Sequence, residues 1–207
     1  MASPPDAEAF AACIADGGVA VFPSDTVYGL ACDPDILEAA RRLYELKGRD
    51  ARKPGAVMFF ALEPALYALP DLGARSRALL VRLLPGPVTV LLANPRERFG
   101  PACGEDPRTL GLRVPLLPAA AAALESVRRP VLQSSANLAG GPDARRLDDV
   151  PETIRLGADL IVDGGELPGT PSTVVDLRRY EADGTWTVVR AGALPAEAIA
   201  TAAAESI

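Results

Sequence analysis

The sequence predicts an α/β protein in which helices flank one twisted, mixed β-sheet. Short apolar runs typical of buried strands alternate along the chain with segments of helical spacing. The strands are unevenly spaced and the last two suggest an antiparallel hairpin, which argues against a regular Rossmann or barrel fold. No repeat, linker or change of composition divides the 207 residues. We therefore predict a single domain over residues 1–207.

Eight runs have the length and composition of strands. The most apolar of them are uninterrupted, as expected for strands buried on both faces. The last two runs flank Asp183-Gly184, a dipeptide typical of hairpin turns. The predicted strands are Gly18–Val21, Val57–Leu62, Val88–Leu92, Leu110–Val114, Val131–Gln133, Leu160–Val162, Thr173–Leu177 and Thr185–Arg190.

Five segments are predicted to be helices. Asp35 stands where its side chain can cap the first of them, and Pro85-Gly86-Pro87 ends the second. The predicted helices are Ile36–Leu46, Ala74–Leu84, Pro118–Val127, Leu147–Leu156 and Pro195–Ala204. The segment Asn94–Arg108 is polar and contains Pro and Gly, which predicts a long loop that is either functional or mobile.

The composition excludes several classes of function. The chain has no histidine, which rules out His-based acid–base, nucleophilic and metal chemistry. Its three cysteines form no Cys-x-x-Cys pair, which disfavours a disulfide framework or a zinc site and fits a reducing compartment. A net charge of −6 argues against nonspecific binding to nucleic acid or an anionic membrane. Without signal-peptide features or an apolar run of ~20 residues, a cytoplasmic location is expected.

Polar donors stand beside the predicted strands at four places, residues 47–53, 109–113, 134–137 and 172–173. Cations combined with hydroxyl and amide donors suit the binding of a polyanion. The chain has neither a Walker-type nor a Rossmann glycine loop. A nucleotide would therefore be held by side-chain cations and by backbone donors at helix starts or nests. The sequence predicts an open basic cleft.

Taken singly, each of these segments also has an ordinary structural explanation. The cations of residues 47–53 suit the C-terminal end of a helix, and residues 24–26 suit a side-chain turn. Ser135 is disfavoured as a triad nucleophile, because the chain has no histidine to activate it. Arg113 and Arg190 suit solvated positions at strand ends. No single segment decides the function.

In this order, the segments resemble the YrdC family of threonylcarbamoyl-adenylate synthases, in its single-domain, TsaC-like form. The resemblance covers almost the whole chain, and one departure is Ser24, where the family has Thr. The seven motifs are Pro23–Leu30, Lys47-Gly48-Arg49 with Lys53-Pro54, Pro85–Thr89, Arg113–Pro115, Ser135–Asn137, Ser172–Asp176 and Arg190–Gly192.

This resemblance implies a YrdC-like fold and a reaction that joins L-threonine, bicarbonate and ATP into threonylcarbamoyl-AMP, with release of pyrophosphate. ATP would enter as its Mg²⁺ complex, and no tightly bound metal ligated by the protein is expected. The product would pass to the tRNA threonylcarbamoyl-transferase complex, which forms N6-threonylcarbamoyladenosine at tRNA position 37. Direct tRNA binding is expected to be weak or absent, and no membrane is involved.

The resemblance also assigns roles to individual residues. Lys47 and Arg49 are expected to be catalytic. The expected ATP-binding residues are Arg49, Lys53, Thr109, Ser135, Asn137, Asp143 and Arg190. The expected threonine-binding residues are Thr26, Tyr28, Met58, Arg113, Gln133 and Ser172.

Two other functions remain open on the sequence alone. An RNA-binding module of the same fold without synthase activity would show a continuous basic face, whereas the chain has 21 Lys and Arg against 27 Asp and Glu. A paralogue acting on another carbamoylated substrate would keep the pocket, as the related domain of hydrogenase-maturation carbamoyltransferases does. That domain normally occurs together with additional domains.

Overall fold

The computed structural model describes residues 6–206, which contain a nine-stranded mixed sheet. The strands are β1 (Ala20–Pro23), β2 (Tyr28–Cys32), β3 (Ala56–Met58), β4 (Val88–Ala93), β5 (Thr109–Arg113), β6 (Val131–Ser135), β7 (Leu160–Ile161), β8 (Thr173–Asp176) and β9 (Thr187–Arg190). They lie in the order β7-β1-β2-β6-β3-β5-β4-β8-β9. The pairs β1–β7, β3–β5 and β4–β8 are parallel and the other pairs are antiparallel.

Helices lie on both faces of this sheet, which confirms the predicted fold class. They are α1 (Ala7–Ala15), α2 (Leu37–Leu46), α3 (Leu62–Ala68), α4 (Ala74–Leu83), α5 (Gly100–Cys103), α6 (Glu152–Gly157), α7 (Tyr180–Asp183) and α8 (Ala196–Ala204). Two 3₁₀ helices cover Ala119–Ser126 and Leu147–Asp149. Within residues 6–206, no helix combines the length and the apolar character needed to cross a membrane.

The first face of the sheet is covered by helices. Strand residues such as Leu30, Val57 and Leu112 form one apolar cluster with residues of α2, α4, α5, α6 and α8. Because successive side chains of a strand point to opposite faces, the neighbours of these residues point to the second face. The larger part of the core therefore lies on the first face.

The second face is covered over only part of its area. There Phe22, Met58 and Val131 pack with Phe10 of α1 and with the 3₁₀ helix at Ala119–Ser126. Ala56 and Gln133 lie two positions from Met58 and Val131 on the same strands, so their small or polar side chains point to this face as well. They form part of the floor of a cavity. The fold thus leaves an open area beside a closed one.

Two predicted elements are interrupted in the structure. The strand predicted over 57–62 stops at Met58, and helix α3 begins at Leu62. The helix predicted over 147–156 is divided at Pro151, which lacks the amide N–H that a continuous helix requires. The predicted helix over 118–127 is a 3₁₀ helix.

The cap predicted for α2 is wrong. Helix α2 begins at Leu37, and Ile36 occupies the N-cap position without a side-chain hydrogen bond. Asp35 instead donates its own N–H to Asp33 Oδ1, at 2.9 Å. Asp33 therefore shapes the turn before the helix, and the helix depends on its buried face rather than on a capping side chain.

The last two strands pair antiparallel as predicted, but a hairpin turn does not join them. The chain between β8 and β9 forms the short helix α7. Gly184, at φ 75°, ends that helix in the left-handed conformation that glycine adopts easily. Asp183-Gly184 therefore marks the end of helix α7 and not a hairpin turn.

The long segment Asn94–Arg108 is packed against the protein. Its residues Phe99 and Cys103 are buried in the first cluster, and α5 lies within it. The side-chain amide of Asn94 donates to the carbonyl oxygens of Arg98 and Pro107, at 2.9 and 2.8 Å. These contacts fold the loop back on itself, and none of its residues lines the cavity described below.

Candidate active site

A cavity of about 300 Å³ lies over the open part of the second face. Strands β3, β4, β5 and β6 supply its floor, and residues beside β8 and β9 supply one wall. Of the residues predicted to form a site, seven line it, namely Arg49, Arg113, Gln133, Ser135, Asp143, Ser172 and Arg190. The structure therefore brings together residues that are up to 141 positions apart in the chain.

Arg113, at the end of β5, is the most deeply buried cation of the cavity. Its side chain is 4% exposed, and its Nη2 donates to Asp25 Oδ1 at 2.5 Å and to Thr26 Oγ1 at 3.2 Å. The Nε of Arg113 is buried and has no hydrogen-bond partner within residues 6–206. One part of this guanidinium is thus fixed by the protein, while another part is left without an acceptor.

Burial dominates the electrostatics of the pair formed by Arg113 and Asp25. It raises the pKa of Asp25 and lowers the pKa of Arg113, although each partner counteracts the shift of the other. Arg190 lowers the pKa of Arg113 further, because it places a second positive charge nearby. Arginine nevertheless stays protonated in proteins. Arg113 therefore keeps its positive charge, which attracts an anion in the cavity.

Thr26 lies behind Arg113 and does not itself line the cavity. Its hydroxyl is 3.1 Å from Ser24 Oγ, and its carbonyl oxygen accepts the N–H of Gly169. The Ser24 hydroxyl donates to the carbonyl oxygen of Val27 at 2.8 Å, so the residue that departs from the family motif keeps the turn closed. The turn predicted here supports the arginine.

Arg49 enters the cavity from the loop after α2. Its Nη2 donates to the carbonyl oxygen of Pro54 at 2.9 Å, and its buried Nε has no partner in the described part of the chain. Gly48, at φ 57°, lets the chain turn between α2 and this arginine. Lys53 is exposed and lies outside the cavity lining. A flexible lysine at the rim can still reach a large anion.

Lys47 is buried beneath the cavity and contacts the end of β6. Its Nζ donates to the carbonyl oxygens of Ser135 and Asn137 and to Asn137 Oδ1, the last two at 2.8 and 3.2 Å. These three acceptors use all three N–H bonds of an ammonium group. Asn137 Oδ1 also accepts the hydroxyl of Ser135, at 2.5 Å. Lys47 therefore shapes the turn that presents Ser135 to the cavity.

The wall formed by β8 and β9 is held by a hydroxyl pair and an arginine. Arg190 Nη2 donates to the carbonyl oxygen of Ser172 at 2.7 Å. The hydroxyls of Ser172 and Thr89 lie 2.9 Å apart, and both residues are buried. Thr89 was not among the predicted site residues, although it ends the Pro85–Thr89 motif. The Pro85–Thr89 motif could have identified Thr89 as a site residue from the sequence.

Three further residues predicted to bind substrates, in addition to Thr26, Lys53 and Asn137, do not line the cavity. Tyr28 belongs to the first cluster, where its hydroxyl lies 2.9 Å from Asp163 Oδ1 and where burial raises its pKa to about 12. Met58 is fully buried in the second cluster. Thr109 lies at the start of β5, the strand that Arg113 ends, and its hydroxyl donates to Asp106 at 2.6 Å.

The sequence matches the model of the Sua5/YciO/YrdC family, described as "Telomere recombination", over residues 12–192. The chain belongs to this family. Threonylcarbamoyl-AMP synthase of Pyrococcus abyssi is 32% identical over 191 residues, which are 90% of this chain and 54% of that protein. Threonylcarbamoyl-AMP synthase of Xanthomonas campestris is 33% identical over 183 residues, 86% of this chain and 96% of that protein.

Solved structures of the Sua5/YciO/YrdC family have the same fold. P. abyssi Sua5 in complex with L-threonine has a TM-score of 0.78 and 30% identity, and the match covers 95% of this chain and 56% of that one. E. coli YciO has a TM-score of 0.78 and 26% identity, with 96% of both chains covered. The chain thus spans about half the length of Sua5 and nearly the full length of YciO.

Proposed function

We propose that this chain is an L-threonylcarbamoyladenylate synthase, a nucleotidyltransferase that uses L-threonine, bicarbonate and ATP. The observation that carries the proposal is the cavity itself, which is lined by Arg49, Arg113 and Arg190. Three guanidinium groups around one cavity favour an anionic ligand, because guanidinium donors match the oxygens of carboxylates and phosphates. The names of the relatives point to the same activity.

The proposed reaction fits a site built from cations and donors. The amine of threonine and bicarbonate form a carbamate, with loss of water, and a carbamate oxygen attacks the α-phosphorus of ATP while pyrophosphate leaves. Both reactants of the second step are anions, so the enzyme must offset their repulsion and align them. Arg113 would bind the carboxylate of threonine, and Arg49, Lys53 and Arg190 would bind the triphosphate.

The roles of the remaining lining residues follow from their donors and acceptors. Ser135 and Asp143 would contact the nucleotide, while Gln133 and Ser172 would contact the amino acid. Magnesium would arrive with ATP and neutralise part of the triphosphate charge. A closed cavity would also protect the carbamate and the mixed anhydride from water.

The RNA-binding alternative has no support in the surface charges. Many exposed arginines are paired with a neighbouring acid, so they form no unpaired basic face. Examples are Arg41–Glu38, Arg146–Glu166 and Arg178–Asp176 at 2.5 Å, and Arg96–Asp71 at 2.6 Å. Cytoplasmic location and transfer of the product to the tRNA threonylcarbamoyl-transferase complex belong to the proposal as further predictions.

The decisive experiment measures release of pyrophosphate from ATP and Mg²⁺ while L-threonine and bicarbonate are omitted in turn. We expect release only when both are present, together with a radiolabelled adenylate when labelled threonine is used. Release that does not require threonine would overturn the proposal. So would the absence of any threonine-dependent product under conditions in which a characterised synthase is active.

A further inference from the structure

Asp25 is the acid that pairs with Arg113, the residue proposed to bind the carboxylate. Its Oδ1 accepts from Arg113 Nη2 at 2.5 Å, and its Oδ2 accepts the N–H of Leu116 at 3.2 Å. Its side chain is 5% exposed, so it is as deeply buried as its partner. Asp25 does not line the cavity, and it would contact no substrate directly.

The contacts of Arg113 divide its guanidinium into two parts. Nη2 has two N–H bonds, and it donates to two protein acceptors, Asp25 and Thr26. Nη1 makes no hydrogen bond among residues 6–206, and the arginine lines the cavity. The protein therefore fixes the orientation of the planar group through one nitrogen and leaves other donors unused.

An arginine in this position needs a fixed counter-charge. Arg190 is close enough to repel it, and the other protein acceptor, the hydroxyl of Thr26, carries no charge. Without Asp25, the group would be a buried cation beside a second cation, which favours rotation away from the cavity or entry of water. Because Asp25 is also bound to the backbone at Leu116, its carboxylate is itself held in place.

We propose that Asp25 is the positioning residue of the carboxylate site: it orients Arg113 so that the unused donors of the guanidinium meet the carboxylate of the amino-acid substrate. This inference rests on the proposed function, because the carboxylate concerned is that of L-threonine. Asp25 acts through Arg113. Its removal therefore weakens binding of the amino acid and leaves binding of the nucleotide unchanged.

The test compares Asp25→Asn with Asp33→Asn by calorimetry and steady-state kinetics. Asp33 also pairs with an arginine, Arg129, at 3.3 Å, but it lies outside the cavity. We expect Asp25→Asn to raise Kd and KM for L-threonine on the order of tenfold, the difference between a charged and a neutral hydrogen bond. Its Kd for ATP should stay at the wild-type value, and Asp33→Asn should alter neither ligand.

A second variant covers the case in which Asp25→Asn does not fold. Asp25→Glu keeps the charge but moves it by one methylene, so it should bind threonine more weakly than the wild type and, if both fold, more tightly than Asp25→Asn. In an Arg113→Lys background, Asp25→Asn should cause a much smaller additional loss, because the two residues act as a unit.

Three results would overturn the role of Asp25 while leaving the proposed function intact. They are wild-type threonine affinity in both Asp25 variants, an equal loss of threonine and ATP binding, and a full additional loss in the Arg113→Lys background. Tighter threonine binding by Asp25→Asn would also overturn it, since Asp25 would then compete with the substrate for Arg113. If the wild-type protein binds no threonine, the proposed function itself fails.

Discussion

The two halves of the second sheet face are built from the same strands and serve different purposes. In the closed half, Met58 and Val131 pack beneath aromatic side chains of α1 and the neighbouring loops. In the open half, two residues further along the same strands, Ala56 and Gln133 line the cavity. The large apolar side chains are buried beneath other elements, whereas the small or polar ones remain accessible to a ligand. One face of a sheet can therefore contain both a part of the core and a binding site.

The largest effect on stability is expected in the closed half. The ring of Phe60 lies 5.5 Å from that of Phe10 and 6.2 Å from that of Phe22. Phe60→Ala should lower the free energy of unfolding by about 3–5 kcal/mol, measured by urea denaturation, while KM for threonine stays unchanged in the folded protein. As a control in the open half, Val189→Ala should change stability by less than about 0.5 kcal/mol. A changed KM in Phe60→Ala would show that the halves are coupled.

The next largest effect is expected at Arg113 in the open half. Arg113→Lys should lower kcat/KM for threonine about 100-fold, because lysine keeps the charge but cannot form a forked contact with a carboxylate. Steady-state kinetics with varied threonine measures this loss, and Arg129→Lys at the surface is the matched control. Equal losses in the two variants would remove Arg113 from the carboxylate site.

The phosphate-binding role of Arg49 is tested against its neighbour Arg52. Arg49→Ala should weaken ATP binding by about 1.5–3 kcal/mol, the scale of a charge-assisted hydrogen bond. Arg52 is exposed and paired with Asp50 at 2.6 Å, so Arg52→Ala should leave the Kd for ATP nearly unchanged. Calorimetry on both variants distinguishes a specific contact from a general loss of positive charge. If Arg49→Ala binds ATP normally, the triphosphate lies elsewhere.

The smallest effect concerns the charge of Lys47 at the edge of the open half. Burial, and secondarily the nearby Arg49, lower the pKa of Lys47 to about 8. As the pH rises through this value, the ammonium becomes an amine, which has too few N–H bonds for its three acceptors. The turn at Asn137 should then loosen, and kcat/KM should fall to about half near pH 8. A flat profile up to about pH 9.5 would contradict this role of the charge.

The contribution of Lys47 to the stability of the protein should follow the opposite course over the same pH range. Between the native pKa of about 8 and the usual lysine value of 10.5, the unfolded chain keeps a proton at Lys47 that the native state has lost. The contribution of this group to the free energy of unfolding therefore rises with pH in that interval. Thermal denaturation between about pH 7 and 9 should show whether activity falls without loss of the fold.

The order of most strands and helices was predictable because long apolar runs and helical spacing report burial directly. The direction of a side chain was harder to predict, because it depends on register. Tyr28 and Gly29 are adjacent in one motif, yet alternation places the tyrosine on the closed first face. The contacts of Lys47 were also hidden, since its three acceptors lie some 90 positions away in the chain. From the sequence, Asp25 could not be distinguished from an ordinary turn residue, and only the structure shows that it pairs with Arg113.

The placement of Arg190 on the ninth strand has a consequence for biosynthesis. The cavity combines Arg49 from the first quarter of the chain with Ser172 and Arg190 from its last fifth. During translation the N-terminal part of a chain emerges first, and distant pairings form late. Strand β8 must therefore leave the ribosome and pair with β4, and β9 must pair with β8, before the wall is complete. Nascent chains that stop short of Arg190 should bind ATP poorly, so ATP binding can report that synthesis has passed this point.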